Sequence, residues 1–124
     1  MNRNRHGNMN LSWHKEILVA EIEGAFNEEG LEYWFPKVKQ LIENRKIDTW
    51  YRLEIWDEEV LGSPETIEHA KAMYEWYEEN GCLAIAVVVC NRIQEQIITA
   101  MFQSQAKIFR NKEEAIQWLE NKLD

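Results

Sequence analysis

Short runs of β-branched and other apolar residues alternate along this chain with longer stretches in which apolar residues return every third or fourth position. The first rhythm marks strands, and the second marks one face of a helix. Residues 17–22 (ILVAEI), closed by Gly24, read as an internal strand. Leu11, Trp13 and Lys15 alternate with Ser12 and His14, a weaker pattern expected to pair with that strand as an antiparallel N-terminal edge. After Asn27, a natural N-cap, Leu31, Trp34, Phe35, Val38, Leu41 and Ile42 share one helical face, and Glu28 and Glu29 occupy the first turn that the helix dipole favours for acids. Pro36 lacks the N–H that would reach the carbonyl four residues back, so a kink or a shifted start is expected there. Gly30 weakens the same helix.

Residues 49–56 (TWYRLEIW) predict a second strand with Trp50, Arg52, Glu54 and Trp56 on one face and Tyr51, Leu53 and Ile55 on the other, which is expected to be the apolar side. Ser63, Pro64 and Glu65 then read as N-cap, first-position proline and first-turn acid of a helix whose stripe is Ile67, Ala70, Met73, Tyr74 and Tyr77. Gly81 closes that helix. Residues 83–89 (LAIAVVV) are apolar without alternation, as a strand covered on both faces must be, which puts them at the centre of a sheet. Helical spacing resumes over residues 92–105 through Ile93, Ile97, Ala100 and Met101, with Ile98 and Phe102 off that face. A short strand follows at residues 107–109, and Asn111 caps a last helix carrying Ala115, Trp118, Leu119 and Leu123. Alternating strands and helices joined by short connections imply right-handed crossovers, hence an α/β domain with a mostly parallel sheet of four or five strands and four helices.

Length and composition narrow the picture further. The 124 residues suit one domain, expected over residues 11–124, and the Gly- and Asn-rich residues 1–10 read as a mobile tail. With 45% hydrophobic residues and six Trp, the chain can bury a core without metals or disulfides. A formal charge of −8 repels phosphate backbones and anionic lipids, so nucleic acid and charged membranes are excluded as expected partners. Cys82 and Cys90 bracket one strand, whose eight residues span roughly 26 Å. A disulfide needs Cα atoms within about 7 Å, so free thiols and a reducing, cytoplasmic setting are expected. No apolar run approaches the roughly 20 residues of a membrane helix, and no secretory leader pattern occurs.

Motifs for chemistry are sparse. Nucleophilic catalysis needs Ser, Cys or Lys beside a base, yet none of the serines or cysteines sits in a recognisable elbow, and no catalytic residue is assigned. Cys82 reads as a small inert buried thiol. No Gly-rich phosphate cradle and no Cys-x-x-Cys or His-Glu-x-x-His pattern is present, so no cofactor and no metal are expected. Glu65 and His69, four apart on one helix face, read as an exposed charge pair rather than the start of a metal site. The count of large aromatics is the one feature beyond a core's needs. Trp34, Trp56, Trp76 and Tyr77, with the off-face Ile98 and Phe102, are expected to form an apolar patch or pocket.

The order of elements, carried by ILVAEIEGAFN at residues 17–27, DEEVLGSP at 57–64, EENGCLAIAVVV at 78–89 and IFRNKEEAIQWL at 108–119, resembles the SpoIIAA-like branch of the STAS superfamily, whose fold is related to CRAL-TRIO lipid-binding domains. The resemblance implies a compact bacterial domain, with regulatory or ligand-binding roles among relatives and no known chemistry for many members. It also implies a phospho-switch serine in an Asp-x-Ser-Gly-type turn. The nearest position here is Ser63, flanked by Gly62 and Pro64 with Asp57 six residues back. The expected role is therefore a non-enzymatic interaction module that docks a protein partner or a second copy of itself, with a carrier or sensor of a small apolar ligand as the alternative.

Overall fold

The computed structural model describes residues 5–101 and 106–123. Its strands are β1 (Asn8–His14), β2 (Ile17–Glu23), β3 (Trp50–Trp56), β4 (Cys82–Val88) and β5 (Ala106–Phe109), and its helices are α1 (Glu28–Arg45), α2 (Pro64–Glu79), α3 (Arg92–Met101) and α4 (Lys112–Glu120). One sheet holds the strands in the order β1-β2-β3-β4-β5, with β1 antiparallel to β2 and the other pairs parallel. The sheet therefore grows in one direction only. Right-handed crossovers repeated in one direction deliver their helices to the same face, and α1, α2 and α3 all pack there.

Two cores result. Leu18, Ile22, Trp50, Trp56, Ile85 and Val87 meet Val38 and Ile42 of α1, Met73 and Tyr77 of α2 and Ile98 of α3. On the opposite face Ile17, Leu53, Ala84, Ala86 and Val88 meet Ala115 and Leu119 of α4. The uninterrupted apolar run of β4 serves both cores, as its lack of alternation predicted.

Several expectations change in detail. The tail ends earlier than residue 10, because β1 starts at Asn8 and Met9 is buried against Ile22, its cross-strand partner. Helix α1 starts at Glu28 as its N-cap predicts and runs uninterrupted through Pro36. Pro36 is exposed, and the carbonyl it leaves without an in-helix donor belongs to exposed Glu32. The larger correction concerns β3. Its Trp50, Arg52, Glu54 and Trp56 face is fully buried under the helices, although it reads as the more polar side. In α3 the inward residues are Gln94, Ile98 and Met101, while Ile93 and Ala100 point outward, so Ile98 belongs to the core and not off its face.

Two glycines are fixed by close approach. A Cβ on Gly30 would collide with the His6 carbonyl oxygen, where the chain entering β1 crosses α1 and the His6 N–H donates to the Asn27 Oδ1 cap (3.0 Å). Gly81 ends α2 at φ +100°, and a Cβ there would collide with the Asp48 carbonyl oxygen. Gly81→Ala is expected to cost about 2 kcal/mol of unfolding free energy in urea melts, since strain and collision act together.

Candidate functional site

Between β1–β3 and helices α2 and α3 lies an apolar cleft of about 60 Å³. Its walls are Met9 and Ile22 from the sheet, Phe26 and Leu31 around the start of α1, Ile67, Ala70 and Met73 of α2, and Ile97 and Met101 of α3. Val60, Leu61 and Gly62 of the β3–α2 loop complete it, and Leu61 is 46% exposed. Three methionines give this lining adaptable, polarisable surface.

Arg52 and Glu54 from β3 also line the cleft. Two apart on one strand, they project from the same face and meet there. Arg52 Nε donates to Glu54 Oε2 at 2.7 Å, and the side chains are 1% and 0% exposed. The Trp56 indole donates to Glu54 Oε1 at 3.0 Å, and the Tyr74 hydroxyl lies 2.7 Å from both carboxylate oxygens. Burial works against the Arg52 charge, but Tyr77, Glu54 and Tyr74 around it outweigh that and raise its pKa above the ordinary value. Burial first and the Glu54 carboxylate second raise the Tyr74 phenol well above its usual range, and burial pushes the Tyr77 phenol up to about 12. Both phenols therefore keep their protons at neutral pH.

The Arg52 guanidinium also lies over the Tyr77 ring, 4.6 Å from its centroid. Its Nη1 atom is buried and has no hydrogen-bond partner among the described residues, a state it shares with Trp34 Nε1 and the Tyr77 hydroxyl. Sequence reasoning missed the Arg52–Glu54 pair. Opposite charges two apart between Trp50 and Trp56 on a strand at mid-sheet were the signal that could have found it.

The expected patch residues separate. Trp56 lines the cleft. Tyr77 and Ile98 are core residues. Trp76 is half-buried in the α1–α2 seam, edge-on to Phe35 at 5.7 Å and to Tyr77 at 6.0 Å. Trp34 packs edge-on to Tyr33 at 5.2 Å. Phe102 lies outside the described residues. Trp76 and Phe35 thus thicken the seam between two helices, and among the described residues the exposed large apolar side chains are elsewhere: Tyr33, Leu61, Leu83 and Ile93.

Leu61 and Ile93 share one end of the molecule, because β3 and β4 are parallel neighbours and each residue follows the C-terminal end of its strand. Gln94 locks that end together. Its Nε2 donates to the carbonyls of Asp57 (2.7 Å) and Val60 (3.0 Å), while its Oε1 accepts from the Cys90 N–H (2.8 Å). Asp57 in turn accepts from Gly24 N–H and Glu59 N–H through its carboxylate, tying the loop to the end of β2.

Ser63 is the N-cap of α2. Its Oγ accepts from the Thr66 N–H at 3.2 Å and lies 3.0 Å from the Thr66 hydroxyl. Ser63→Ala is expected to cost about 1 kcal/mol in thermal or urea melts. His69 faces Glu28 of α1 at 3.7 Å instead of pairing with Glu65. Cys82 is buried, with burial the main cause of a thiol pKa near 12, whereas Cys90 is exposed and its pKa is raised by partial burial and then by Glu58 and Asp57. Iodoacetamide at pH 8 is expected to label Cys90 in the native protein and Cys82 only after unfolding, as peptide mass mapping would read.

The SpoIIAA-like family model matches residues 17–120. This chain belongs to the SpoIIAA-like family. Solved structures agree with that fold. An uncharacterised protein with a SpoIIAA-like fold from Shewanella loihica PV-4 superposes with a TM-score of 0.66 at 17% identity, over 96% of this chain and 98% of the other. An anti-sigma factor antagonist from Mycobacterium paratuberculosis gives 0.58 at 10% identity, over 92% and 94%. The Bacillus cell fate determinant SpoIIAA in its phosphorylated form gives 0.56 at 14% identity, over 90% and 99%. A comparison with curated proteins finds no match. The SpoIIAA-like sheet, with its antiparallel first strand, is the architecture the sequence predicted. No helix among the described residues is long and apolar enough to cross a membrane.

Proposed function

We propose that this SpoIIAA-like domain is a regulatory module without chemistry of its own, which docks a protein partner through the end of the sheet where Leu61 and Ile93 stand. The observation that carries this reading is the exposure of those two side chains, 46% and 61%, on a surface made rigid by the Gln94 bonds. Exposed large apolar residues held in place favour docking, since association costs less when nothing must be ordered first. Asp57, Glu58, Glu59 and Glu65 lie in the adjoining loop and first turn of α2, so the complementary surface is apolar at its centre and basic at its rim. The anti-sigma factor antagonist and the phosphorylated SpoIIAA among the structural neighbours support a regulatory role by their fold. In this reading Ser63 acts as a helix cap. A phosphate on it would meet Asp57, Glu58 and Glu59 close by in sequence.

The paired substitutions Leu61→Asp and Ile93→Asp test the proposal. Both sites are exposed enough for the fold to tolerate them, so the melting curve should stay near that of the parent protein. Co-purification with the native partner should be lost. Association unchanged by the double variant would refute this surface.

A further inference from the structure

We propose that β1 pairs edge to edge with β1 of a second copy of this chain, antiparallel, about a two-fold axis at Ser12. This goes beyond the docking surface at Leu61 and Ile93 and does not rest on it. Backbone hydrogen bonds decide which groups the edge offers. The carbonyls of Glu16 and Ile22 accept from the Tyr51 N–H (2.8 Å) and the Asp57 N–H (3.0 Å), so even-numbered residues along β2 turn their backbone groups to β3 and odd-numbered ones to β1. The odd-numbered residues stand opposite Asn8, Asn10, Ser12 and His14. Met9, Leu11 and Trp13 therefore point their N–H and C=O groups away from the sheet, and these have no backbone partner among the described residues.

Three observations commit that edge to a second copy. First, proteins guard open sheet edges by keeping them short, charged, bulged or interrupted by proline. The β5 edge follows that rule, being four residues long with Lys107 in it. The β1 edge does not: its seven residues hold no Lys, Arg, Asp, Glu or Pro, and its register with β2 is free of bulges. Second, residues 1–46 hold seven Lys and Arg against seven Glu, so the whole formal charge of −8 resides in residues 47–124. Two copies that repel one another elsewhere meet at β1 through their neutral parts. Third, the strand complements its own reverse. With the axis at Ser12, each Leu11 exchanges both backbone hydrogen bonds with Trp13 of the second copy. Their half-buried side chains meet on the helix-covered face, while on the other face exposed Ser12 stands opposite Ser12 and exposed Asn10 opposite His14. An axis at Leu11 would need the backbone of Met9, which is 4% exposed.

The test joins disulfide cross-linking and sedimentation equilibrium of the full chain, with Cys90→Ser removing the exposed native thiol from the cross-linking variants. Across an antiparallel pair without hydrogen bonds the Cα atoms stand about 4.5 Å apart, inside the roughly 4.4–6.8 Å that a disulfide spans. Ser12→Cys should therefore yield a linked dimer under mild oxidation. Asn10→Cys, also exposed on the same strand but facing His14 of the second copy, should not. In sedimentation the parent protein should dimerise weakly, as a short edge contact does. Ser12→Lys and Ser12→Glu each set like charges face to face at an exposed position, so the monomer's melting curve should hold while the dissociation constant rises about fivefold. An equimolar mixture of the two variants should recover the parent's association, which a merely structural effect of either substitution would not allow. Absence of a Ser12→Cys dimer, equal cross-linking from Asn10→Cys, or association unmoved by Ser12→Lys would each overturn the proposal.

Discussion

Replacing Glu54 alone with alanine is expected to lower the unfolding free energy by about 3–5 kcal/mol, a large part of the roughly 5–15 kcal/mol that a domain of this size possesses. The carboxylate accepts from Arg52 Nε, the Trp56 indole and the Tyr74 hydroxyl, all under the α2 roof. Its loss leaves a fully buried guanidinium without a counter-charge and strips the Trp56 indole of the acceptor it has there. Arg52→Met with Glu54→Leu should behave quite differently. Two apolar side chains of similar bulk remove both the desolvation cost and the attraction of the ion pair, so the remaining loss is that of the Trp56 indole and Tyr74 hydroxyl donors, and the double variant should be clearly more stable than Glu54→Ala. Urea unfolding of Arg52→Met, Glu54→Leu and the double variant closes the cycle. A double variant as unstable as Glu54→Ala would show that the pair contributes more than mutual neutralisation.

Trp50→Ala carries the second large expected loss, about 3–5 kcal/mol. The indole is fully buried at the start of β3, edge-on to Tyr77 at 5.7 Å, and its Nε1 donates to the Asn80 carbonyl at 2.9 Å where α2 ends. It also sits beside the register shift that leaves Leu83 exposed on β4. Truncation opens a cavity that neither β4 nor α2 can close by moving, since the Trp50 N–H is bonded to the Gly81 carbonyl at 2.9 Å. Trp50→Phe fills most of that volume and loses one hydrogen bond, so it should cost clearly less in the same urea series.

Much of the architecture was legible because period and burial agreed. In β4 an unbroken apolar run announced two covered faces, and the caps Asn27, Ser63 and Asn111 marked three helix starts that the structure places there. The misread faces of β3 and α3 share one cause, a polar residue pointing inward. Arg52 and Glu54 made the buried face of β3 look like its wet side, and Gln94 hid the true inner face of α3, so that Ile98 appeared misplaced. In each case the polar group is buried because it satisfies a partner distant in sequence: Gln94 holds the carbonyls of Asp57 and Val60, and Glu54 collects the hydroxyl of Tyr74. Periodicity reports the hydrophobicity of a residue and is blind to such partners. The surplus of aromatics was visible in the sequence, but its use in the α1–α2 seam depended on crossover direction, which placed three helices side by side.

The singly wound sheet also explains where interaction surface remains. Helices α1 to α3 crowd one face, α4 alone covers part of the other, and the parallel strands bring the β3–α2 and β4–α3 connections to one end. Among the described residues the exposed large apolar side chains at that end are Leu61 and Ile93, and Leu61 also lines the cleft. Site-specific photocrosslinking in the native host tests that end most directly, with a photoreactive residue at Ile93 and a control at Gln117, an exposed position on α4. One discrete protein adduct is expected at Ile93, abolished by Leu61→Asp, and none at Gln117. No discrete adduct at Ile93, or the same adduct from both positions, would contradict it.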